Sequence, residues 1–204
     1  MSAPPKTVLH ASEEEAAAIR EAVRNVDVAE LGAGRVRAEL KHVPGLVRLL
    51  SDERVSGPIY DLPRPINEES ITRWVTENQA QMLAGEVLLV LTLDEAGEVA
   101  GYSRITVWPQ HASAELAGAM RADLQNQGQG RVGMVRTFGW IFETLGVRLM
   151  CLTAALDNVR SQKGIDAAGF RRMGEREAAR PDGTTRRSVY WEMTRDEWRQ
   201  RHRL

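Results

Sequence analysis

The segment from residue 125 to residue 130 (Gln-Asn-Gln-Gly-Gln-Gly) most strongly constrains the fold, because it separates a strand pattern from a helix pattern. Upstream, residues 114–120 are small and mostly apolar, and downstream apolar side chains recur at helical spacing between residues 135 and 145. Gly128 and Gly130 allow a tight turn, and the next helix starts with N–H groups that lack helical partners. The segment therefore predicts a phosphate or pyrophosphate site.

Two better-known phosphate-binding motifs do not fit this segment. No Gly-Lys-Ser/Thr follows the glycines, which excludes the loop of nucleoside triphosphatases. A dinucleotide loop would have three glycines in a βαβ unit near the chain start, whereas this loop follows several predicted strands. Two glycines are also typical of a plain turn between a strand and a helix. A second segment further along the chain favours the phosphate interpretation.

That second segment joins a predicted buried strand, residues 147–154, to a short helix. Asn158 is suited to be the N-cap of the helix, and Gly169 is suited to end it. Together the two segments resemble the GNAT acyltransferase superfamily. Residues 125–130 fit its Gln/Arg-x-x-Gly-x-Gly/Ala acetyl-CoA loop, and Asn158-x-x-Ser161 followed by Gly169-Phe170 fits its second cofactor segment. The resemblance covers residues 35–198 and extends to the branch with the ribosomal-protein alanine/serine N-acetyltransferases.

This resemblance implies an α/β (α+β) fold with a mixed, mostly antiparallel sheet of about seven strands flanked by helices. Acetyl-CoA, the co-substrate, would lie in the cleft between the fourth and fifth strands. Backbone groups of residues 118–120 would pair with the pantetheine arm, and N–H groups of residues 126–131 would hold the pyrophosphate. The cofactor-binding residues implied are Gly118, Ala119, Met120, Gln125, Asn126, Gln127, Gly128, Gln129, Gly130, Arg131, Asn158 and Ser161. For Arg131 a solvated position on the helix is equally compatible.

The catalytic positions depart from the family pattern. Where the family commonly has a tyrosine that protonates the thiolate, this chain has Ile165, which cannot donate a proton. Where some ribosomal-protein acetylases have a basic glutamate, this chain has Thr153. The substitutes that we predict are Glu115 as the general base, with Glu192 or solvent next, and Ser161 as a relay to the thiolate. Each also has a structural alternative, Glu115 as a surface carboxylate and Ser161 as a helix cap.

Composition limits the classes of function. The chain has 204 residues and one cysteine, Cys151, which excludes an intrachain disulfide. Its formal charge of −1 argues against general nucleic-acid binding. No apolar stretch approaches the roughly 20 residues that span a bilayer, and no secretion signal opens the chain. The histidines and the cysteine show no metal-ligand spacing, so no metal is predicted. These features predict a cytoplasmic protein without membrane contact, and they leave open whether it is a homodimer.

The first 34 residues have no counterpart in the family pattern. We predict a helical extension over residues 1–34 and an N-acetyltransferase domain over residues 35–204. The extension contains a helix at residues 12–25, with Ser12 and Glu15 as a capping box. Its thin apolar face (Ala16, Ile19 and Val23) is compatible with a docking arm.

The remaining elements follow from periodicity and turn residues. The predicted order is a strand near 35–41, a helix over 43–52, a helix from Asn67, a hairpin of strands 87–93 and 99–107, and two last strands joined by a turn at 181–184.

Two functions remain compatible with the sequence. The first is an acetyl-CoA-dependent N-acetyltransferase that acts on a primary amine, which could be a protein N-terminus, an amino acid, an antibiotic or another small amine. The second is a non-catalytic acyl-CoA-binding or scaffold module.

A tyrosine introduced at Ile165 should maintain or increase turnover wherever the site admits the ring.

Overall fold

The computed structural model describes residues 4–59, 61–125, 129–179 and 184–202. Within these residues, the strands are β1 (Arg35–Arg37), β2 (Val87–Leu93), β3 (Val99–Trp108), β4 (Ser113–Met120), β5 (Leu149–Ala155), β6 (Arg171–Ala179) and β7 (Thr185–Thr194). They form one sheet in the order β1-β2-β3-β4-β5-β7-β6. Neighbouring strands are antiparallel except β4 and β5, which run parallel. The predicted mixed, mostly antiparallel sheet is confirmed.

The helices flank this sheet. Those described are α1 (Glu13–Asn25), α2 (Val43–Ser51), α3 (Glu53–Ser56), α4 (Glu68–Ala84), α5 (Gln129–Thr144), α6 (Val159–Ala168) and α7 (Arg195–His202). Those predicted from Ser12, Asn67 and Asn158 begin one residue after the predicted cap, because each capping side chain accepts a backbone N–H of the first turn. The short helix α7 was not predicted. The predicted turn at 181–184 lies largely outside the described residues.

One detail of the N-terminal capping prediction is wrong. The Ser12 side chain accepts the Glu15 N–H at 3.1 Å, as an N-cap should. The Glu15 carboxylate does not return to the Ser12 backbone, since it forms an ion pair with Arg148 at 2.8 Å. The predicted capping box is therefore only half formed, because a distant arginine competes for the glutamate.

The sheet has an apolar core on each face. The first, here called the α5 face, carries side chains such as Leu88, Met150 and Trp191 and is covered by α1, α5, α6 and α7. The second, the α4 face, carries Leu89 and Tyr102 and is covered by α2, α3 and α4. Because side chains alternate along a strand, neighbours in sequence point to opposite faces. This alternation decides which side chains can meet across the sheet.

Helix α1 is not a free docking arm. Ile19 and Val23 are buried in the same core as the side chains of α5 and β5, and Ala16 is buried beside them. The narrow apolar face read from the sequence is thus used within the chain. Burial of these side chains removes apolar area from water and so stabilises the attachment of the helix.

Residues 4–11 form an irregular segment, here called the N-terminal strap. At one end, Ala11 N–H donates to the carbonyl of Gln110 at 3.0 Å. At the other end, the Arg176 guanidinium of β6 donates to the carbonyl of Pro4 at 2.8 Å. The strap therefore runs from the turn between β3 and β4 to the edge strand β6.

Candidate functional site

The parallel strands β4 and β5 are paired only at their amino-terminal ends. Their register ends at the pair Glu115–Cys151, although β4 continues to Met120 and β5 to Ala155. Two extended strands that no longer exchange hydrogen bonds diverge, so a wedge-shaped cleft opens with Glu115 and Cys151 at its apex. Unpaired strand edges of this kind can accept the amides of an extended ligand, which is what a pantetheine arm requires.

The residues predicted to pair with the pantetheine arm lie on the diverging part of β4. They are Gly118, Ala119 and Met120. A Cβ at Gly118 would come within 2.5 Å of the carbonyl oxygen of Tyr102 on β3. The glycine is therefore required by the close approach of β3, whether or not a cofactor contacts it.

The predicted pyrophosphate loop is described in part. Asn126, Gln127 and Gly128 lie outside the described residues, and the first turn of α5 contains Gln129, Gly130 and Arg131. A helix thus begins immediately after the loop, as predicted. The unpaired N–H groups and the dipole of a helix start favour a phosphate at this place.

Gln125 connects the elements that meet at the open end of the cleft. Its Nε2 donates to the carbonyl of Met120 at 2.7 Å, and its Oε1 accepts from Arg160 Nη1 on α6. The side chain predicted to bind the cofactor is therefore already used to join β4 to α6. Sequence reasoning missed Arg160, although its place between Asn158 and Ser161 could have identified it as a cation beside the phosphate loop.

The second cofactor segment follows the open end of β5. Asn158 N–H donates to the carbonyl of Ala155 at 3.0 Å, and Asn158 Oδ1 accepts the Ser161 N–H at 3.1 Å. The predicted N-cap role of Asn158 is thus confirmed, and Ser161 is held in the first turn of α6 through its backbone. Gly169 ends α6 with a φ of 90°, a backbone conformation that favours glycine.

Ile165 lies in the core of the α5 face. Its side chain is 6% exposed and packs in the same cluster as Ala168 and Phe170. The position where the family commonly has a tyrosine is therefore filled by an apolar side chain that completes the packing of α6. The structure supplies no proton donor at this position.

Glu115 points to the α4 face, because its neighbour Ala114 lies in the core of the α5 face. The side chain is 5% exposed, and its Oε1 accepts the Thr153 hydroxyl at 3.1 Å. The alternative of a surface carboxylate is wrong, since Glu115 is buried at the apex of the cleft. A buried carboxylate that keeps a hydrogen-bond partner is a candidate proton acceptor.

Glu115, Cys151 and Glu192 form a row across β4, β5 and β7, since each lies directly opposite the next. Burial raises the pKa of the Cys151 thiol, and the charge of Glu115 raises it further. A thiol in this environment stays protonated and is a poor nucleophile. Cys151 is therefore a core residue, as its sequence context indicates.

Glu192 is fully buried and is held by the N-terminal strap. Thr7 donates to it twice, from its N–H at 2.9 Å and from its hydroxyl at 2.5 Å, and the Tyr190 hydroxyl donates at 2.6 Å. Burial alone would raise the pKa of Glu192, but these hydrogen bonds outweigh it and lower the pKa. A carboxylate so enclosed is poorly placed to meet a substrate amine, which leaves Glu115 as the better base candidate.

A partly buried arginine lies on β3, the other neighbour of β4. Arg104 donates to Asn78 Oδ1 on α4 at 2.7 Å and to Thr106 Oγ1 at 2.9 Å, and it lies 4.0 Å from Asp61. Thr106 is directly opposite Glu115 in the sheet. Arg104 therefore ties α4 to the strand next to the candidate base.

A hydrogen bond on the α4 face connects β7 to the loop between α3 and α4. Arg186, near the start of β7, donates to the carbonyl of Pro58 in the loop between α3 and α4. The hydrogen bond joins the start of β7 to this loop on the α4 face of the sheet. The neighbouring Tyr60 lies outside the described residues. Among the described residues, no group of three or more acidic, histidine or cysteine side chains could hold a metal ion.

Comparison with known proteins identifies the family. Residues 35–171 match the family described as "Acetyltransferase (GNAT) domain". The chain belongs to the GNAT acetyltransferase family. The resemblance drawn from the two cofactor segments is thereby confirmed. No curated protein matches the chain.

Solved structures share this fold at low sequence identity. Mycobacterium smegmatis RimJ in complex with CoA-disulfide is 15% identical, with a TM-score of 0.67 over 80% of this chain and 82% of that chain. RimL, a ribosomal L7/L12 alpha-N-protein acetyltransferase in complex with coenzyme A, is 16% identical, with a TM-score of 0.68 over 82% and 97%. The ribosomal-protein-S5-alanine acetyltransferase from Vibrio fischeri is 13% identical, with a TM-score of 0.68 over 80% and 93%.

Membership of this family makes the protein an acetyltransferase whose acyl donor is acetyl-CoA. The observed site fits this donor, because the diverging strands leave unpaired edges for an extended arm and α5 begins directly after the predicted phosphate loop. No helix in the described part of the chain is long and apolar enough to cross a membrane.

Proposed function

We propose that this protein transfers an acetyl group from acetyl-CoA to a primary amine by direct attack of the amine on the thioester. The acceptor is a small molecule or a peptide amine, such as a protein N-terminus, an amino acid or an antibiotic. The observation that carries the proposal is the position of Glu115, a buried carboxylate at the apex of the cleft.

Glu115 acts as the general base. A primary amine is mostly protonated at neutral pH and must lose a proton before it can attack a carbonyl carbon. The Glu115 carboxylate is directed toward the α4 face, and the Thr153 hydroxyl holds one of its oxygens at 3.1 Å. An amine that approaches the cleft from the α4 face meets this carboxylate before it meets the thioester.

This arrangement accounts for the threonine at position 153. Some ribosomal-protein acetylases have a glutamate there, on the fifth strand, and the present chain has Thr153 bonded to Glu115 on β4. The carboxylate would then reach the same apex from the neighbouring strand. A general base is thus retained, but a residue of β4 supplies it in place of a residue of β5.

The departing thiolate also needs a proton. Ile165 cannot supply it, so we assign the relay to the Ser161 hydroxyl or to solvent. Ser161 is partly exposed in the first turn of α6, and its backbone N–H is engaged by Asn158. Its hydroxyl can therefore carry a proton without loss of the helix cap.

The cofactor would be bound mainly by backbone groups. Residues 118–120 supply the edge of β4 and residues 126–131 supply the loop and the start of α5. Asn158 supplies a further polar group at the end of β5, and Arg160 adds a positive charge next to Gln125. Backbone donors at a helix N-terminus bind phosphate without charged side chains, which is consistent with the glutamine-rich loop.

The proposal also covers the location of the protein, its domain organisation and its oligomeric state. A donor of this kind is used in the cytoplasm, and the formal charge of −1 gives no general attraction to nucleic acid. Residues 1–34 are proposed as an extension joined to an N-acetyltransferase domain over residues 35–204, and the extension supplies both the strap and α1. A homodimer is compatible with the proposed reaction but is not required by it.

The test is the release of thiol from acetyl-CoA across a panel of primary amines. The wild-type protein should release thiol only when a suitable amine is present. Glu115→Gln should lower kcat at neutral pH by about 10²–10⁴-fold, the usual contribution of a general base. A matched control is Glu77→Gln, which makes the same chemical change on an exposed position of α4.

The binding of CoA must be measured in parallel. Glu115→Gln should still gain thermal stability with CoA, since the change is made outside the proposed phosphate loop. If Glu115→Gln had the same pH–rate profile as the wild-type protein, Glu115 would not be the base. If no amine released thiol while CoA still bound, the alternative of a non-catalytic acyl-CoA-binding module would apply.

A further inference from the structure

The carboxylate of Asp61 is enclosed but weakly paired. Asp61 lies in the loop between α3 and α4, and 13% of its side chain is exposed. Among the described residues, no group donates a hydrogen bond to it, and its ion-pair partner Arg104 stays 4.0 Å away. A carboxylate has about four acceptor sites, and enclosing it without hydrogen bonds is unfavourable. The unused acceptor sites of Asp61 therefore suit a cationic donor from a ligand.

Arg104 is held away from Asp61 by neutral partners. Its Nε donates to Asn78 Oδ1 at 2.7 Å, and its Nη1 donates to Thr106 Oγ1 at 2.9 Å. Its Nη2 donates to Gln81 Oε1 at 3.3 Å. Every nitrogen of the guanidinium thus has a partner. The arginine offsets the charge of Asp61 from a distance, and it leaves the carboxylate oxygens without a hydrogen bond.

Asp61 lies on the same face of the sheet as Glu115. Arg104 leaves β3 on the α4 face, because its neighbour Ile105 lies in the core of the α5 face. Leu62, next to Asp61, is buried in the core of the α4 face. The loop therefore holds Asp61 on the face from which the proposed acceptor amine approaches Glu115.

The separation of Asp61 and Glu115 follows from their shared neighbours. Arg104 Nη1 is 2.9 Å from Thr106 Oγ1 and 4.0 Å from Asp61 Oδ2, so these two oxygens are close together. Thr106 is directly opposite Glu115 on the neighbouring strand. Neighbouring strands are about 5 Å apart, so the two carboxylates are separated by roughly 10 Å, about two strand spacings.

The surface of β4 beside these carboxylates carries a small side chain. Ala117 follows Glu115 on the α4 face of β4, is directly opposite Arg104 and is partly exposed. An ammonium nitrogen lies about 2.8 Å from a carboxylate oxygen that it bonds, so two nitrogens between these carboxylates would be roughly 5–8 Å apart. A four-carbon chain joins two nitrogens through five bonds and extends over roughly 6 Å. A short diamine therefore has the length to contact both carboxylates.

We propose that Asp61 binds a second positive charge of the acceptor, so that the preferred acceptors are diamines with about four carbons between the nitrogens. The first nitrogen loses a proton to Glu115 and attacks the thioester carbonyl carbon. The carbon–sulfur bond then breaks, and the thiolate takes up a proton. The second nitrogen stays an ammonium group and donates to Asp61. This inference rests on the proposed amine acetylation.

The experiment compares 1,4-diaminobutane with pentylamine, in which a methyl group replaces the second ammonium group. The proteins are wild type, Asp61→Asn and Asp196→Asn, a control that makes the same change at an exposed position of α7. The measured quantity is the ratio of kcat/KM for the two amines, obtained from thiol release. The two equivalent nitrogens of the diamine affect this ratio equally in all three proteins.

The wild-type protein should prefer the diamine by about 10- to 100-fold, the effect of a hydrogen bond to a charged group. Asp61→Asn should remove most of this preference through a higher KM for the diamine, while the KM for acetyl-CoA stays at the wild-type value. Asp196→Asn should keep the preference. If Asp61 only offset the charge of Arg104, its substitution would lower both kcat/KM values alike.

An unchanged ratio in Asp61→Asn would overturn the assignment, as would equal use of the two amines by the wild-type protein. Should Asp61→Asn fail to fold, Asp61→Glu keeps the charge on a longer side chain. Its preference should then shift from 1,4-diaminobutane toward 1,3-diaminopropane, and an unshifted preference would also overturn the assignment. Failure of the proposed function has a different signature, because the wild-type protein would release no thiol with any amine.

Discussion

The hydrogen bond from Thr7 to Glu192 gives the most direct prediction about stability. We consider Thr7→Val, which keeps the shape of the side chain but removes the hydroxyl that bonds the buried carboxylate at 2.5 Å. Glu192 keeps its bonds from the Thr7 N–H and from the Tyr190 hydroxyl. The substitution therefore removes one of the described donors to a charge that has no access to water.

The expected magnitude follows from the charge of the acceptor. Hydrogen bonds to charged groups contribute about 1.5–3 kcal/mol, more than bonds between neutral groups. Thr7→Val should lower the free energy of unfolding by about that amount at neutral pH. In a chain of this size, 1 kcal/mol corresponds to about 2–4 °C, so the melting temperature should fall by about 3–12 °C. Thr7→Ser keeps the hydroxyl and serves as the matched control.

The effect should depend on pH in a defined direction. The pKa of Glu192 is lowered in the folded protein from its usual 4.5, so its carboxylate stabilises the fold above that value. This contribution is lost as the pH falls through the lowered pKa. The difference between Thr7→Val and Thr7→Ser should thus be full at neutral pH and should shrink below pH about 4.

The assay is urea unfolding of both variants at neutral and at acid pH, with melting curves as a second measurement. Equal stability of Thr7→Val and Thr7→Ser at neutral pH would refute the reasoning. It would mean that the strap does not hold Glu192 through this hydroxyl.

Three further outcomes are expected. Millimolar CoA should raise the melting temperature of the wild-type protein, and a scan without a shift would contradict the cofactor site. Gly128→Val and Gly130→Val should abolish this shift while the protein remains folded, because a branched side chain there obstructs phosphate or strains the turn; a retained shift in both would mean that the loop is only a turn. Ile165→Tyr should destabilise the protein by about 1–3 kcal/mol in urea unfolding, because Ile165 fills the packed core of the α5 face and the site does not admit the ring. Wild-type stability with increased turnover would instead restore the expectation drawn from the sequence.

Local patterns in the sequence were sufficient for most of the fold. The glycine loop, the N-cap at Asn158 and the C-cap at Gly169 concern residues a few positions apart, and their backbone requirements are visible in the sequence. The apolar run of β2, Val87–Leu93, is likewise visible in the sequence. Such short-range signals also carried the resemblance to the family, which the comparison confirmed.

Local sequence patterns do not determine the environment of the candidate base, Glu115. From the sequence, Glu115 is compatible with a general base or with a surface carboxylate. Only the structure shows that it is buried and bonded to Thr153, 38 residues away. The end of the β4–β5 pairing at Glu115 depends on how two strands diverge in space. Nothing in the residues next to Glu115 encodes that geometry.

The contacts of the N-terminal strap are the clearest example of a feature that only the tertiary structure determines. Thr7 and Glu192 are 185 residues apart, and neither has a local feature that predicts the other. The sequence of helix α1 has the pattern of a thin amphipathic arm, because its apolar face is narrow and its partner surface is built from distant elements. The sequence by itself determined the elements, their order and the family. Only the tertiary structure determined which buried charges are paired, since such pairs depend on contacts between residues that the chain brings together by folding.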